Sequence, residues 1–325
     1  MKQPDPDSGT SRVPQLPEFS ATTLIDLKGL VGTIHEAKGA RDVSGMDDKP
    51  GENLLDVFAA EAEKLRASKA KPGLIMPILL QKLGCGLESE LGRAALKASE
   101  MAGTGGEQPT YHNDQHVTEV ILAAYCLGMR EHLPVDRVVE LLIAAAAHDL
   151  GHTGGINRHA YELETRSYHI IYPVLVEAGL GEERIERIGR MIVSTDFANG
   201  VPLVRVAYRE CRQLPPDHEE RLLAAQCVIL TEADVLFSCF NENYNEMLSG
   251  LLSVEWNRKE MLSVPERVGF LSSVEFVSDA AIQLGLEQRR KALWYNLTRR
   301  TGRISYPHLT PDAEARDENP GHPNL

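Results

Sequence analysis

Leu141-Leu142-Ile143-Ala144-Ala145-Ala146-Ala147-His148-Asp149-Leu150-Gly151-His152 is the stretch whose reading decides the fold. Its unbroken apolar run, Leu141 to Ala147, has the composition of a helix buried on every side. A bilayer-spanning helix needs about 20 apolar residues, so this run belongs to a protein core. The run ends abruptly in an imidazole and a carboxylate, at the edge of a dry interior. Such a pair suits Zn, Fe, Mn and similar ions. Gly151, Gly154 and Gly155 then let the backbone turn sharply and approach the site closely.

Two further pieces point to the same chemistry. Of the 11 histidines in the chain, most fall between His112 and His169, a clustering that core packing does not call for. In Tyr111-His112-Asn113-Asp114-Gln115-His116, the two imidazoles stand four residues apart and share a face if the segment is helical. In Ala224 to Asp234, an apolar helical stretch again delivers a carboxylate, and a carboxylate buried alone calls for a cation. Each piece has an ordinary alternative: a surface histidine pair, a chance His-Asp dipeptide, a helix-surface acid. Their coincidence at the ends of apolar helices favours a metal.

The surroundings are helical. Leu54, Leu55, Phe58, Ala59, Ala62 and Leu65 follow a 3.6-residue period. Helices are expected over 75–83, 87–101, 116–129, 136–148, 162–178, 182–193, 219–241, 244–261, 265–284 and 289–301, and no alternating Val/Ile/Thr run signals a strand. The expectation is all-α, with a flexible segment over 1–51, one helical domain over 52–303 and a flexible tail over 304–325.

Composition narrows the partners. A formal net charge of -13 repels a phosphate backbone, so polymeric DNA or RNA is excluded as the main ligand. A small phosphorylated substrate stays compatible, because bound metal reverses the local potential. The 5 cysteines form no C-x-x-C unit and read as free thiols of a reducing cytoplasm. With no signal peptide and no membrane span read from the sequence, a cytoplasmic location is expected. Apolar residues around Leu248 to Leu252 fit either a homodimer interface or the core.

At these residues the chain resembles the HD-domain metal-dependent phosphohydrolases, and most of all the catalytic domain of class I 3',5'-cyclic nucleotide phosphodiesterases, whose fold is a single helical bundle. Tyr111-His112-Asn113-x-x-His116 is similar to that family's Tyr-His-Asn-x-x-His, and His148-Asp149-x-x-His152-x-Gly154-x-x-Asn157 matches its second motif position by position. Ala233-Asp234, Ser194-Thr195-Asp196 and Val268-Gly269-Phe270 follow in the family's order. The resemblance implies hydrolysis of cyclic AMP or GMP to the 5'-monophosphate by metal-activated hydroxide. It implies two divalent ions, zinc at the first site and magnesium or manganese at the second, with iron also compatible. His116, His148, Asp149 and Asp234 would hold the first ion, and Asp149 would bridge to the second. His112 would be the general acid, a task suited to an imidazole with an ordinary pKa of about 6.5. Glu164 would orient it. His152, Asn157 and Asp196 would hold water on the metals, and Tyr111 and Phe270 would contact substrate.

The pattern departs from the family in places. Before Val-Gly-Phe the family has a purine-binding glutamine, and here stands Arg267, preceded by Glu266. Arginine offers only donors and a permanent charge, so Arg267 is expected either to bind an anionic group or to leave the pocket. Glu119 replaces the usual aspartate, and the spans from Asn157 to Glu164 and from Asp234 to Phe270 are shorter than in the animal enzymes. The alternatives are a phosphohydrolase of another phosphoester gripped by Arg267, an iron-dependent oxygenase, and a catalytically silent metal-binding domain.

Overall fold

The computed structural model describes residues 54–102 and 109–300. The segments expected to be flexible, 1–51 and 304–325, and the ends of the expected domain lie outside the described residues. The regular structure is α1 (Leu54–Ser68), α2 (Pro72–Leu83), α3 (Glu90–Ala102), α4 (Asp114–Arg130), α5 (Val135–Ala147), α6 (Glu162–Glu177) and α7 (Glu182–Val193). It continues with α8 (Gly200–Cys211), α9 (Glu219–Leu236), α10 (Glu242–Glu255), α11 (Val264–Ser273), α12 (Asp279–Gln283) and α13 (Leu286–Arg300). Two short 3-10 turns flank α10, and there is no strand among the described residues, as the all-α expectation required.

The apolar run that opened the reading forms the second half of α5, and every residue from Leu141 to Ala147 is buried. α3, α4, α7 and α9 all pack on α5, and α9 also packs on α4. α9 with its following turn is long and apolar enough to cross a membrane by composition, yet 83% of its apolar window is buried inside the bundle. It is a core helix. Leu248 is likewise buried, with the partly buried Leu251 and Leu252 packed against the core. Among the described residues the five cysteines are free.

Three expected boundaries differ. The helix expected over 244–261 stops at Glu255, because Asn257 adopts a left-handed φ of 50° and the Asn257 and Arg258 amides donate back to Val254 and Ser253. The helix expected over 265–284 is two, α11 and α12. The buried Glu232 carboxylate of α9 accepts from the Val277 and Ser278 amides, which pins an extended link between them. α8 was not anticipated: Leu203 and Val206 face solvent along it, which blurs the apolar period.

One interior charge ties the bundle together. Glu140 of α5 is fully buried and accepts from Arg137 at 3.3 Å, from two nitrogens of Arg187 at 3.1 and 2.7 Å, and from Gln226 at 3.4 Å. Removing it leaves the buried Arg137 with the more exposed Glu219 as its remaining carboxylate partner. Glu140→Ala is expected to lower the unfolding free energy by about 3–5 kcal/mol. Cutting the exposed Glu186–Arg190 pair by Arg190→Ala should cost less than about 1 kcal/mol. Urea denaturation of both variants checks the contrast, and equal losses would contradict it.

Candidate metal centre

Three chain segments deliver the site. Asn113 caps α4, its side-chain oxygen accepting from the Gln115 amide at 2.9 Å and the His116 amide at 3.2 Å. His116 therefore sits in the first turn of α4, whereas His112 lies just before the helix. The two do not share a helical face; the cap turn folds their rings together edge to face, with centroids 5.8 Å apart. α5 ends at Ala147 and hands over to His148 and Asp149, and the last turn of α9 carries Asp234.

These four side chains converge. Asp149 Oδ2 lies 3.4 Å from His116 Nε2 and 3.1 Å from His148 Nε2. Asp234 Oδ1 lies 3.0 Å from His116 Nε2 and 3.7 Å from His148 Nε2. His148 Nδ1 is 2.8 Å from the Ala145 carbonyl, which can only accept, so the neutral ring turns the lone pair of Nε2 inward. His116 Nε2, His148 Nε2 and Asp149 Oδ2 are buried without a well-formed hydrogen bond. Buried polar atoms of this kind are rare and costly unless something satisfies them.

The electrostatics agree. Burial depresses the His116 imidazole, but the Asp149 and Asp234 carboxylates more than reverse this and carry it to about 9. His148 is driven well above its ordinary value by the same carboxylates against its burial. Burial opposes the charged forms of Asp149 and Asp234, yet the imidazoles hold both below the usual carboxylate range. Two imidazoles with two carboxylates form a fitting donor set for a divalent ion.

A second group adjoins the first. One atom each from His112, Asp149 and His152 lie within 4.8 Å of one another. The His152 ring stacks on His112 with centroids 3.7 Å apart, and its Nδ1 accepts from the Gly154 amide at 3.0 Å. Burial and the neighbouring His112 lower His152 to about 4. Tyr111 is buried with its ring 4.8 Å from both the His112 and His116 rings, and its hydroxyl meets Ser238. It packs against both histidine rings.

Two other expectations need correction. The carboxylate beside His112 is Glu255, whose Oε1 faces His112 Nδ1 while Oε2 accepts from the Tyr111 amide at 2.6 Å and the His112 amide at 3.1 Å. Glu164 instead holds Asn157 Nδ2, at 2.9 and 3.2 Å. Glu255 sits 143 residues from His112 in a stretch with no local motif, so the sequence carried no signal for it. Gly154 makes the approach feasible: at φ +75°, a Cβ there would lie 3.0 Å from Glu255 Cγ.

Arg267 is not a substrate clamp. It is buried, and its guanidinium donates to Asn245 Oδ1 at 2.7 Å, Glu246 Oε2 at 3.2 Å and the Glu242 carbonyl at 3.3 Å. These partners lie at the start of α10, more than two helical turns from the Glu255 end that meets His112. Asn157 Nδ2 also reaches Asp196 Oδ2 at 3.2 Å, which extends the Glu164 link outward. Phe270 stacks on Phe197, the neighbour of Asp196, with centroids 5.9 Å apart and planes 22° from parallel.

No family model and no curated protein matches the chain. Solved structures do. The phosphodiesterase domain of the RhoPDE fusion protein from the choanoflagellate Salpingoeca rosetta aligns at 17% identity and a TM-score of 0.55, over 83% of this chain and 100% of that one. The phosphodiesterase domain of the Salpingoeca rosetta rhodopsin phosphodiesterase aligns at 18% identity and 0.53, over 82% and 94%. LmjPDEB1, solved in complex with IBMX, aligns at 15% and 0.51, over 83% and 97%. The chain has the helical fold of these phosphodiesterase domains.

The glycine geometry gives a test of the Glu255 approach. Gly154→Ala is expected to lower stability by about 1–2 kcal/mol, since an L-residue strains the left-handed backbone and crowds Glu255. Gly155→Ala, where the nearest atom is Thr153 Oγ1 at 3.8 Å and φ is not positive, should be close to neutral. Thermal unfolding of the pair reads the difference.

Proposed function

We propose that this protein is a metal-dependent phosphodiesterase that hydrolyses a 3',5'-cyclic nucleotide to its 5'-monophosphate. The observation that carries the reading is a four-residue donor set with unpartnered buried atoms, standing beside an imidazole that a carboxylate holds in place. His116, His148, Asp149 and Asp234 hold the first divalent ion, which we assign as zinc from its imidazole and carboxylate donors. Asp149, which also lies among His112 and His152, would serve a second ion as well, and its hard oxygen donor suits magnesium or manganese. When bound, the ions supply an activated water at neutral pH and a counter-charge for the phosphate.

The chain's own groups do the rest. Breaking the P–O3' bond leaves an alkoxide that needs a proton, and His112 is the donor. Glu255 accepts from Nδ1–H, so the transferable proton sits on Nε2. Stacked His152 and edge-on Tyr111 restrict the His112 ring plane, which positions the acid before substrate arrives. Asn157, Glu164 and Asp196 form a linked polar wall suited to holding water at the second ion. The buried, α10-bound Arg267 removes the observation on which an anion-gripping phosphohydrolase rested.

In metal-loaded protein, His112→Ala is expected to lower kcat for cyclic AMP or GMP by about 10²–10⁴ with metal content unchanged. Asp234→Ala should instead lose bound metal. Elemental analysis beside turnover assays separates the two, and intact, metal-loaded protein that hydrolyses neither nucleotide would falsify the proposal. Glu255→Gln is expected to lower kcat by roughly 10–100-fold with little change in KM, as for a group acting through its neighbour. An unchanged kcat and pH profile would remove Glu255 from that role.

A further inference from the structure

The geometry points to a second ligand site, an apolar groove between α6, α7 and α8 that takes an uncharged aromatic small molecule. The groove shares no side chain with the metal centre, so the inference stands whether or not the reading under Proposed function holds.

The groove has a volume of about 410 Å³, within the roughly 300–1,000 Å³ usual for small-ligand sites. Its walls are mainly apolar: the Tyr161 and Tyr168 rings, Val193, Leu203 and Val204. None of these five is fully buried, and Leu203 is 62% exposed. Apolar side chains left to water around one concavity mark a place where a ligand gains by covering them.

The walls are set before any ligand arrives. A Cβ at Gly189 of α7 would lie 2.7 Å from the Tyr168 ring, so the glycine is what lets that ring lie against the helix. Across the groove, the buried Asp196 ties two segments together. Its carboxylate accepts from the Tyr161 amide at 2.8 Å, the Ala198 amide at 2.9 Å and the Asn199 amide at 3.0 Å. Its carbonyl accepts from the Gly200 amide at 2.8 Å. Tyr161 and the start of α8, which carries Leu203 and Val204, are thereby held in one arrangement, and binding there costs little ordering.

Charge decides the class of ligand. Among the described residues the ionic groups in the lining are Glu186 and Arg190, and they pair with each other. An anion finds no unpaired cation in the lining and a cation no unpaired carboxylate, while either sheds water on entering apolar surroundings. The phosphate of a cyclic nucleotide is disfavoured for the same reason, so this is not a second substrate site. A flat, uncharged ring system gains contact with both tyrosine rings and the aliphatic wall at no such cost.

Two dyes make the test. N-phenylnaphthylamine and its sulfonate, anilinonaphthalenesulfonate, share a ring system, differ in charge, and both brighten in apolar surroundings. Each is titrated into the full chain and read by fluorescence. The uncharged dye is expected to bind at one site per chain, more than about 10-fold tighter than the sulfonate. Leu203→Asp, at an exposed position in the wall, should weaken it by about 10-fold or more. Val135→Asp, equally exposed but outside the lining, and excess cyclic AMP should both leave its affinity unchanged. No binding, a sulfonate within about 10-fold of the uncharged dye, an unmoved affinity in Leu203→Asp, or displacement by cyclic AMP overturns the inference. An apparent affinity that falls as protein concentration rises would put a second copy of the chain in the groove and overturn it too.

Discussion

Two imidazole nitrogens and a carboxylate oxygen, all buried and none with a formed hydrogen bond, are held against one another where the ends of α4, α5 and α9 meet. Leaving such atoms unsatisfied in a dry interior is among the costlier things a fold can do. The rest of the architecture makes that arrangement sustainable. α5 is enclosed by α3, α4, α7 and α9, and the fully buried Glu140 locks α5 to α7 through Arg187. With the scaffold this rigid, the polar atoms cannot relax toward water, and a cation becomes the cheapest partner for them.

The first turn of α4 is anchored both locally and from distant parts of the chain. Asn113 caps it locally. Glu255 grips the preceding backbone at Tyr111 and His112, from the far end of α10. Arg66 of α1 forms a two-pronged pair with Glu119, at 2.8 and 2.6 Å, one turn beyond His116. Burial pushes the Glu119 carboxyl up although Arg66 draws it down, so the longer side chain at this position has its own dedicated cation.

What the sequence made legible divides along the same line. Where an apolar run ends in a residue able to bind a metal, as at His148 and Asp234, helix and candidate donor are written in adjacent letters, and their convergence was readable. The Tyr-His-Asn segment was readable in content and misread in geometry, because a capping asparagine in the middle places His112 outside the helix. Partners brought in by tertiary packing were not readable. Glu255 has no motif around it, and the site of Arg267 depends on how α11 settles on α10. The breaks at Asn257 and before Ser278 escaped notice for the same reason. One depends on a residue other than glycine entering the left-handed region, the other on a buried glutamate far away in sequence.

His112 poses a competition that the surrounding geometry resolves. His112, Asp149 and His152 could themselves surround an ion, and on the proposed reading His112 must keep its Nε2 for a proton and not for a metal. Glu255 takes Nδ1, which leaves Nε2 as the ring nitrogen open to either role, so what separates donor from ligand is the ring plane that the stacked His152 restricts. Burial holds His152 itself neutral, so it adds no like charge to a crowded cationic neighbourhood. On the proposed reading a proton donor then stands beside a bound metal with its ring held in a fixed plane. The Glu255 carboxylate reaches it past Gly154, where a Cβ would lie 3.0 Å from Glu255 Cγ.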